Sequence, residues 1–410
     1  MKSRSSTLHL GGADGIRAIA CLLVITHHLS QFASTEGKLP WLQSLHAFML
    51  TGNAGVSVFF VLSGYLLAIP FWRSYLNGNP FPDMKHYGFR RAVRIVPGYY
   101  VAILVSTMLT VLFNIPTENF WLRLSAAITF TSGFHYSTLF PNEVNGPLWS
   151  ISFEVFCYLL MPVFMYALYR FFGKNQTFTK GLLFWIGTLG IILILNQFVH
   201  MFFSTDSVKK GWDYGWTGGA KYWMPNYNPI GFFAHFTLGI IAAGVAVKLN
   251  QRPDKHKNTA TFSWISLGSL ASSFVLLWLA RNVPEFSMSL QQQPFYFPLY
   301  PLLIAISLCT ASRSGLAAKL LDNPFFKFTA KISFSLYIWH FVVIGVSSVT
   351  WAQDFMGTEN LSRWAGVSLV LLLVSYLVAT LSYYFVEKPV LTWSTRERSS
   401  IRLVPKSVVK

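Results

Sequence analysis

The sequence predicts an all-α polytopic integral membrane protein of about ten transmembrane helices, with no separate soluble domain. Hydrophobic residues make up 53% of its 410 residues and charged residues only 11%, whereas a soluble domain carries about 25% charged residues. The apolar residues are gathered into stretches of about 20, the length that an α-helix needs to cross a bilayer. Basic residues are concentrated in alternate connections between these stretches, as expected of a multi-pass protein.

Ten apolar stretches are candidate spans, and helices suit them because lipid requires every backbone polar group to be paired internally. They cover residues 14–33, 52–72, 95–113, 147–169, 181–200, 229–247, 261–280, 295–311, 332–350 and 364–386. No linker or polar block is long enough for a second domain. We therefore assign 1–390 to one membrane domain and 391–410 to a short basic cytoplasmic tail.

The longest connections between spans, 114–146 and 201–228, are rich in aromatic residues, Gly, Pro and Asn. This composition suits an ordered lid or a surface that faces a sugar. An aromatic belt at the membrane interface explains it equally well.

The net charge of +17 follows the predicted topology. With the N-terminus placed in the cytoplasm, 25 of the 32 Lys and Arg residues lie in cytoplasmic segments, because basic residues resist translocation. This distribution orients both termini toward the cytoplasm and makes the surplus a topology signal, so no nucleic-acid partner is predicted. The same charge also suits an anionic cytoplasmic ligand or the headgroups of membrane lipids.

The first span carries two ionisable side chains, Arg17 and His28, within an apolar run. Eleven helical steps return the chain to within about 20° of the same face and separate the two residues by about 16 Å along the axis. A charge inside a span is costly unless it faces a polar cavity, which favours a functional pair. A snorkelling Arg17 and a hydrogen-bonded His28 are the structural alternative. His27 is rotated by about 100° from His28 on the helix, so we prefer His28 as the reactive group.

Five segments in order along the chain resemble the signatures of acyltransferase family 3, a family of membrane-bound O-acyltransferases. They are the Arg17 and His28 spacing, Gly55–Leu67 (GVSVFFVLSGYLL), Arg90–Pro97 (RRAVRIVP), Gly146–Glu154 (GPLWSISFE) and Phe385–Pro389 (FVEKP). Each signature is weak alone. Five of them in order, at the expected spans and over nearly the whole chain, are specific.

The resemblance implies an enzyme of the bacterial cytoplasmic (inner) membrane that moves an acyl group, foremost acetyl, from cytoplasmic acyl-CoA to a hydroxyl. The implied acceptor is an extracytoplasmic glycan such as O-antigen, lipopolysaccharide or exopolysaccharide, or a lipid-linked saccharide. Acyl transfer to a hydroxyl needs a base, and histidine titrates near neutrality. His28 is therefore the predicted general base, and Arg17 and Glu154 complete the predicted catalytic set.

A basic cluster at the start of the third span consists of Arg90, Arg91 and Arg94. Arginine binds phosphate bidentately and stays charged at physiological pH. The resemblance implies that this cluster, with Arg17 deeper in the membrane, binds the phosphates of acetyl-CoA. A positive-inside stop signal explains the cluster nearly as well. There is no Gly-rich nucleotide loop, and the three Cys residues lie in apolar runs without metal-ligand spacing, so no metal site is predicted.

Glu154 lies about 10 Å into the fourth span from its outer end, near the depth expected of His28. Its carboxylate is placed to orient the imidazole or to contact a sugar hydroxyl, and Ser150 shares its helix face four residues earlier. The alternative is a hydrogen-bonded pair that only stabilises helix packing. Trp149, in the same segment, and Asn145, just before it, are predicted to line the substrate cavity.

The ninth span contains Tyr337 and His340, one turn apart on one helix face. Members of the family often carry a similar Ser, Tyr and His run, so we add both residues to the predicted cavity lining. A role in helix packing explains them equally well.

A polytopic transporter is the alternative function, because intramembrane Arg, His and Glu residues also form substrate and proton paths. The chain shows no two-fold repeat of spans or motifs, which counts against the common transporter architectures. The sequence leaves open the acceptor and its acylated position, the acyl chain length, direct transfer against a covalent acyl-enzyme, and the oligomeric state.

Overall fold

The computed structural model describes residues 11–173, 176–203, 209–251, 259–283, 286, 290, 292–355 and 357–394. Within these ranges the chain forms fourteen α-helices, no strand and no separate soluble domain, which confirms the predicted fold class. The helices are α1 Ala13–Ser30, α2 Pro40–Met49, α3 Gly55–Leu76, α4 Met84–Leu112, α5 Phe120–Ile128, α6 Trp149–Phe172, α7 Phe178–Phe203, α8 Gly215–Trp223, α9 Pro229–Gln251, α10 Thr259–Asn282, α11 Leu299–Ala311, α12 Gly315–Leu321, α13 Pro324–Val349 and α14 Leu361–Ser382.

Each of the ten predicted spans coincides with a helix, but fewer helices are long and apolar enough to cross a membrane. In the described part of the chain eight qualify: α3, α4, α6, α7, α9, α10, α13 and α14 with their extensions. The pair α11 and α12, which meet at 110°, would be a ninth. The helix α1 is not among them, because Asp14, Arg17, His27 and His28 lower the hydropathy of its 18 residues. The expected number of about ten therefore counts the polar helix α1 and the short helix α11 as spans.

The helices α3 and α9 pack along each other at very short range. A Cβ atom at Gly64 would lie 2.1 Å from the carbonyl oxygen of Phe236, and one at Gly239 would lie 2.0 Å from that of Val61. Small residues let helix backbones approach this closely in membranes. The helix α1 packs against α3 and α13, and α4 packs against α13. Together with α6, these helices surround the candidate site.

Close contacts with α12 fix the beginning of α1. Gly12 adopts a left-handed φ of +83°, which glycine tolerates, and its N–H donates to both carboxylate oxygens of Asp322 at 3.0 Å. A Cβ atom at Gly15 would lie 2.3 Å from the carbonyl oxygen of Leu321. The start of α1, and with it the position of Arg17, is therefore set by a segment far away in the sequence.

The two long connections of aromatic composition pack on each other. The first contains α5, where the buried Arg123 forms a salt bridge with the buried Glu143. The second contains α8, whose Trp216 and Trp223 rings lie 5.2 and 5.6 Å from the ring of Phe140 in the first connection. The two connections thus form one packed aromatic layer over the end of α6; residues 204–208 of the second lie outside the described ranges.

The last helix continues past α14, through a π-helical turn at Tyr383–Glu387, as far as Ser394. The turn packs against α4, and the buried Glu387 accepts a hydrogen bond from Ser335 of α13. The predicted tail, 391–410, thus starts inside this helix, and its residues 395–410 lie outside the described part of the chain.

Candidate active site

A cavity lies between α1, α3, α4, α6 and α13. It brings together six of the predicted site residues, which are Arg17, Arg91, Arg94, Ser150, Glu154 and Tyr337. An adjoining, larger space shares Arg17, Arg91 and Arg94 with the cavity and is also lined by Arg90. This space lies between the end of α3 and the beginning of α4, and we call it the arginine mouth.

The cavity is rich in positive charge without a matching set of carboxylates. Arg91 and Arg94 lie one turn apart on α4, and Arg17 faces them from α1. None of the three forms a salt bridge with a carboxylate in the described ranges. The guanidinium of Arg91 lies 5.9 Å from the ring centroid of Tyr158, a cation–π contact. The arrangement suits an anionic ligand with several negatively charged oxygens.

Glu154 is the one carboxylate among the described residues that line the cavity. It accepts a hydrogen bond from Ser63 Oγ of α3 at 2.8 Å and another from Tyr158 Oη, one turn further along α6. Neither partner is an imidazole, so Glu154 does not orient His28 by a direct hydrogen bond in this structure. It lies with the arginines because α6 turns this side chain toward α1 and α3.

Ser150 and Tyr337 lie together at the lining of the same cavity. Their hydroxyl oxygens are 2.6 Å apart, and Tyr337 Oη also donates to the carbonyl oxygen of Pro147 at 3.0 Å. The packing alternative, a hydrogen bond between Ser150 and Glu154, is not formed, because Ser150 contacts Tyr337 of α13 whereas Glu154 contacts Ser63 of α3. These two hydroxyls therefore join α6 to α13.

The histidines lie beyond Tyr337 and do not line the cavity. The ring centroid of His340, one turn after Tyr337 on α13, is 5.9 Å from that of Tyr337 and 5.2 Å from that of His28. We call His28 and His340 the histidine pair. The ring of His28 is half-buried, and its Nδ1 lies 3.0 Å from Oε1 of Gln31. By contrast, the buried His27 faces the α2–α3 connection, with Nδ1 2.7 Å from the carbonyl oxygen of Leu50.

Two other predicted lining residues support the walls of the site instead. Asn145 is fully buried and donates through Nδ2 to the carbonyl oxygen of Ile338 at 2.9 Å and to Ser106 Oγ at 3.3 Å. Trp149 is buried in an aromatic cluster, with its ring 5.0 Å from Phe153. Both tie the segment before α6 to its neighbours.

Sequence reasoning missed three polar residues that line the cavity: Ser63, Tyr158 and Ser333. Ser63 and Ser333 lie in segments already singled out, and Tyr158 follows Glu154 by four residues, the spacing of neighbours on a helix face. That spacing could have indicated the hydrogen bond between Tyr158 and Glu154. No local signal indicates that Ser63, on another helix, also donates a hydrogen bond to Glu154.

Residues 10–380 match the model of a protein family described as an acyltransferase domain. The chain belongs to this acyltransferase family. The match covers nearly the whole chain, and it confirms both the family that the five segments predicted and the class of enzyme.

Similar proteins come from Staphylococcus aureus. A protein of strain COL with the provisional name O-acetyltransferase is 26% identical over 401 residues, and the O-acetyltransferase OatA of strain NCTC 8325 is 25% identical over 399 residues. The alignments cover 93% and 94% of this chain but 57% and 58% of the relatives, so the chain spans less than two thirds of their length. No solved structure matches the chain.

Proposed function

We propose that the protein is a membrane O-acetyltransferase that binds acyl-CoA at the arginine mouth and transfers its acyl group, foremost acetyl, to a hydroxyl beside His28. One observation carries the proposal: three arginines without a described carboxylate partner line a cavity whose Tyr337 lies one turn from the histidine pair. The family and the names of the relatives support acyl transfer to oxygen.

The charge of the cavity supports acyl-CoA as the donor. Coenzyme A carries its phosphates at one end and its thioester at the other, so its two ends need different surroundings. Arg90, Arg91 and Arg94 suit the phosphates because guanidinium groups bind phosphate oxygens bidentately. The cavity is also lined by the neutral hydroxyls of Ser150 and Tyr337, which suit the uncharged thioester.

His28 is suited to act as the base. A carbonyl oxygen only accepts hydrogen bonds, so the contact with Oε1 of Gln31 places the hydrogen on Nδ1 and the lone pair on Nε2. Nε2 takes the proton of the acceptor hydroxyl as its oxygen attacks the thioester carbon. The C–O bond forms, the C–S bond breaks, and the imidazolium returns the proton to the departing thiolate. This direct route requires no covalent acyl-enzyme.

The proposed acceptor is a glycan on the side of the membrane opposite the arginine mouth, such as O-antigen, lipopolysaccharide or exopolysaccharide. His28 lies at the end of α1 away from Arg17, and the aromatic layer lies over the end of α6. In this scheme both termini face the cytoplasm of a bacterium, the donor enters from there, and the product appears outside. The basic residues of the cytoplasmic segments support this orientation.

The test uses protein purified into nanodiscs, radiolabelled acetyl-CoA and methyl glucoside as a model acceptor. Wild type should release CoA and label the sugar, and His28→Asn should lose both activities by about 10²- to 10⁴-fold, the usual contribution of a general base. His235→Asn is the control, because His235 is a fully buried histidine that contacts Ser57 and Phe232 instead of the histidine pair.

Wild type that neither binds acetyl-CoA nor releases CoA would overturn the proposal. If the same sample, placed in liposomes, moved a solute across the membrane, a transport function would replace it.

A further inference from the structure

His340 is the buried imidazole next to the proposed base. Helix packing alone does not explain the hydrogen bonding of its two ring nitrogens. Its side chain is fully buried on α13, 5.2 Å from the ring of His28. It lines neither the cavity nor the arginine mouth. A buried ring with two polar nitrogens normally satisfies both with hydrogen bonds.

The backbone determines which nitrogen of His340 carries the hydrogen. Nδ1 lies 2.7 Å from the carbonyl oxygen of Tyr337 and 3.1 Å from that of Leu336. Because both oxygens only accept hydrogen bonds, Nδ1 must be the donor and Nε2 must hold the lone pair. Among the described residues, Nε2 has no hydrogen-bond partner. A buried acceptor without a donor is unfavourable, and a ligand held beside His28, whose ring is 5.2 Å away, is placed to supply that donor.

His28 presents the same arrangement from the opposite helix. Its Nδ1 is held by Gln31, which leaves a lone pair on Nε2. The histidine pair therefore consists of two adjacent imidazoles, each with its hydrogen committed to a carbonyl oxygen and its lone pair available. The unpartnered acceptor of His340, beside the lone pair of His28, fits a ligand that brings two neighbouring donors.

We infer that the acceptor carries two neighbouring hydroxyls, and that His340 binds the one that is not acylated. The inference rests on the proposed function. The first hydroxyl gives its proton to Nε2 of His28, its oxygen forms the C–O bond as the C–S bond breaks, and the proton passes on to the thiolate. The second hydroxyl donates to Nε2 of His340, which stays neutral throughout. The half-buried ring of Phe341 lies beside the pair, 4.9 Å from the ring of His28.

This arrangement predicts a diol, such as adjacent ring positions of a sugar, and selects against an alcohol with one hydroxyl. The energetic reason is that a simple alcohol leaves Nε2 of His340 unpaired in the complex. One hydrogen bond changes kcat/KM by about tenfold. The size of the preference is therefore measurable with small ring compounds.

The experiment compares trans-cyclohexane-1,2-diol with cyclohexanol as acceptors for labelled acetyl-CoA in nanodiscs. Wild type should prefer the diol by about tenfold in kcat/KM. His340→Leu should lose this preference, because its kcat/KM falls more for the diol than for cyclohexanol. His340→Gln, whose amide oxygen restores an acceptor, should regain part of the preference. His235→Leu is the control, because it removes another fully buried imidazole with an unpartnered Nε2.

Wild type without a preference for the diol, including wild type that hydrolyses acetyl-CoA but acetylates neither ring, would overturn the inference. So would a His340→Leu protein that binds acetyl-CoA and keeps the full preference. If His340→Leu does not fold, His340→Gln is compared with wild type instead. A His340→Gln protein that keeps the full preference for the diol would then overturn the inference. Absence of acetyl-CoA turnover in wild type is a different result, because it removes the proposed function itself.

Discussion

The arginine mouth and the histidine pair hold their polar groups in opposite ways. At the mouth, Arg17, Arg91 and Arg94 face open space and have no described carboxylate partner. In the histidine pair, each ring is fixed by a carbonyl oxygen at its Nδ1, from Gln31 in one case and Tyr337 in the other. The mouth therefore presents positively charged guanidinium groups to a ligand. The histidine pair instead presents the lone pairs of two neutral imidazoles whose orientations are fixed. In the proposed function, this difference separates donor binding from proton transfer.

The largest expected effect separates His28 from its neighbour His27. His28→Asn should lower kcat by about 10²- to 10⁴-fold, because it removes the proposed base, and should leave the Kd of acetyl-CoA unchanged. His27→Asn should stay within a few fold, because Nδ1 of His27 is engaged by the carbonyl oxygen of Leu50 and its ring is not part of the histidine pair. Steady-state kinetics with calorimetric donor binding measures both. If His27→Asn lost activity and His28→Asn kept it, His27 and not His28 would be the base.

The next effect concerns the charges at the mouth. Arg91→Met and Arg94→Met should each raise the Kd of acetyl-CoA by about 10- to 100-fold, the worth of a charge-assisted hydrogen bond. At saturating acetyl-CoA, kcat should change little. The ratio of the variant Kd to the wild-type Kd should fall at high salt, because salt screens the charges that bind acetyl-CoA in the wild type.

Lys331→Met, which removes an exposed charge on α13 outside the cavity, serves as the control for this pair of variants. Binding is measured by titration at two salt concentrations. Arginine variants that bind the donor as wild type does would show that the mouth is only a topology signal.

A smaller effect tests how α1 is positioned. Gly15→Ala would place a Cβ atom 2.3 Å from the carbonyl oxygen of Leu321, so the start of α1 must shift at a cost of about 1–3 kcal/mol. We expect a lower Tm and weaker donor binding, because Arg17 lies two residues further along. Gly187→Ala, where a Cβ would meet nothing within 4 Å, is the matched control. Equal Tm values for the two variants would contradict the close packing of α1 on α12.

The smallest effect is expected at Ser150. The hydroxyl of Ser150 contacts Tyr337 and the carbonyl oxygen of Pro147. Ser150→Ala should therefore lower the free energy of unfolding by about 1 kcal/mol and reduce kcat by less than about tenfold. Single-turnover kinetics with labelled acetyl-CoA provides the measurement. A complete loss of transfer, together with label bound to the wild-type protein, would identify Ser150 as a covalent nucleophile.

Much of the fold follows from the sequence because lipid imposes a simple rule. Apolar stretches of sufficient length must form helices, and all ten predicted spans coincide with helices. The bend of 110° between α11 and α12 was not predicted. It depends on tertiary contacts, among them the hydrogen bonds from Gly12 to Asp322, which no local pattern reveals.

The candidate site was predictable to the extent that helical spacing determines it. The arginines of α4 meet Arg17 in one cavity, whereas His28, predicted on the same face of α1 as Arg17, does not line it. The partners of Glu154 were not predictable, because hydrogen bonds from Ser63 and Tyr158 depend on how α3 and α6 are turned toward each other. The arrangement of His340 likewise depends on which carbonyl oxygens its ring meets in the folded helix.

The membrane face from which the protein uses acetyl-CoA is the most direct test of the separation between the arginine mouth and the histidine pair. The protein is placed in liposomes in one orientation, acetyl-CoA is supplied to one face at a time, and a membrane-impermeant sugar acceptor is supplied to the other. Transfer should occur only when acetyl-CoA is on the face at which α1 begins, with the acetylated sugar appearing on the opposite face. Equal transfer from acetyl-CoA supplied on either face would contradict a donor site at the arginine mouth that is distinct from the histidine pair.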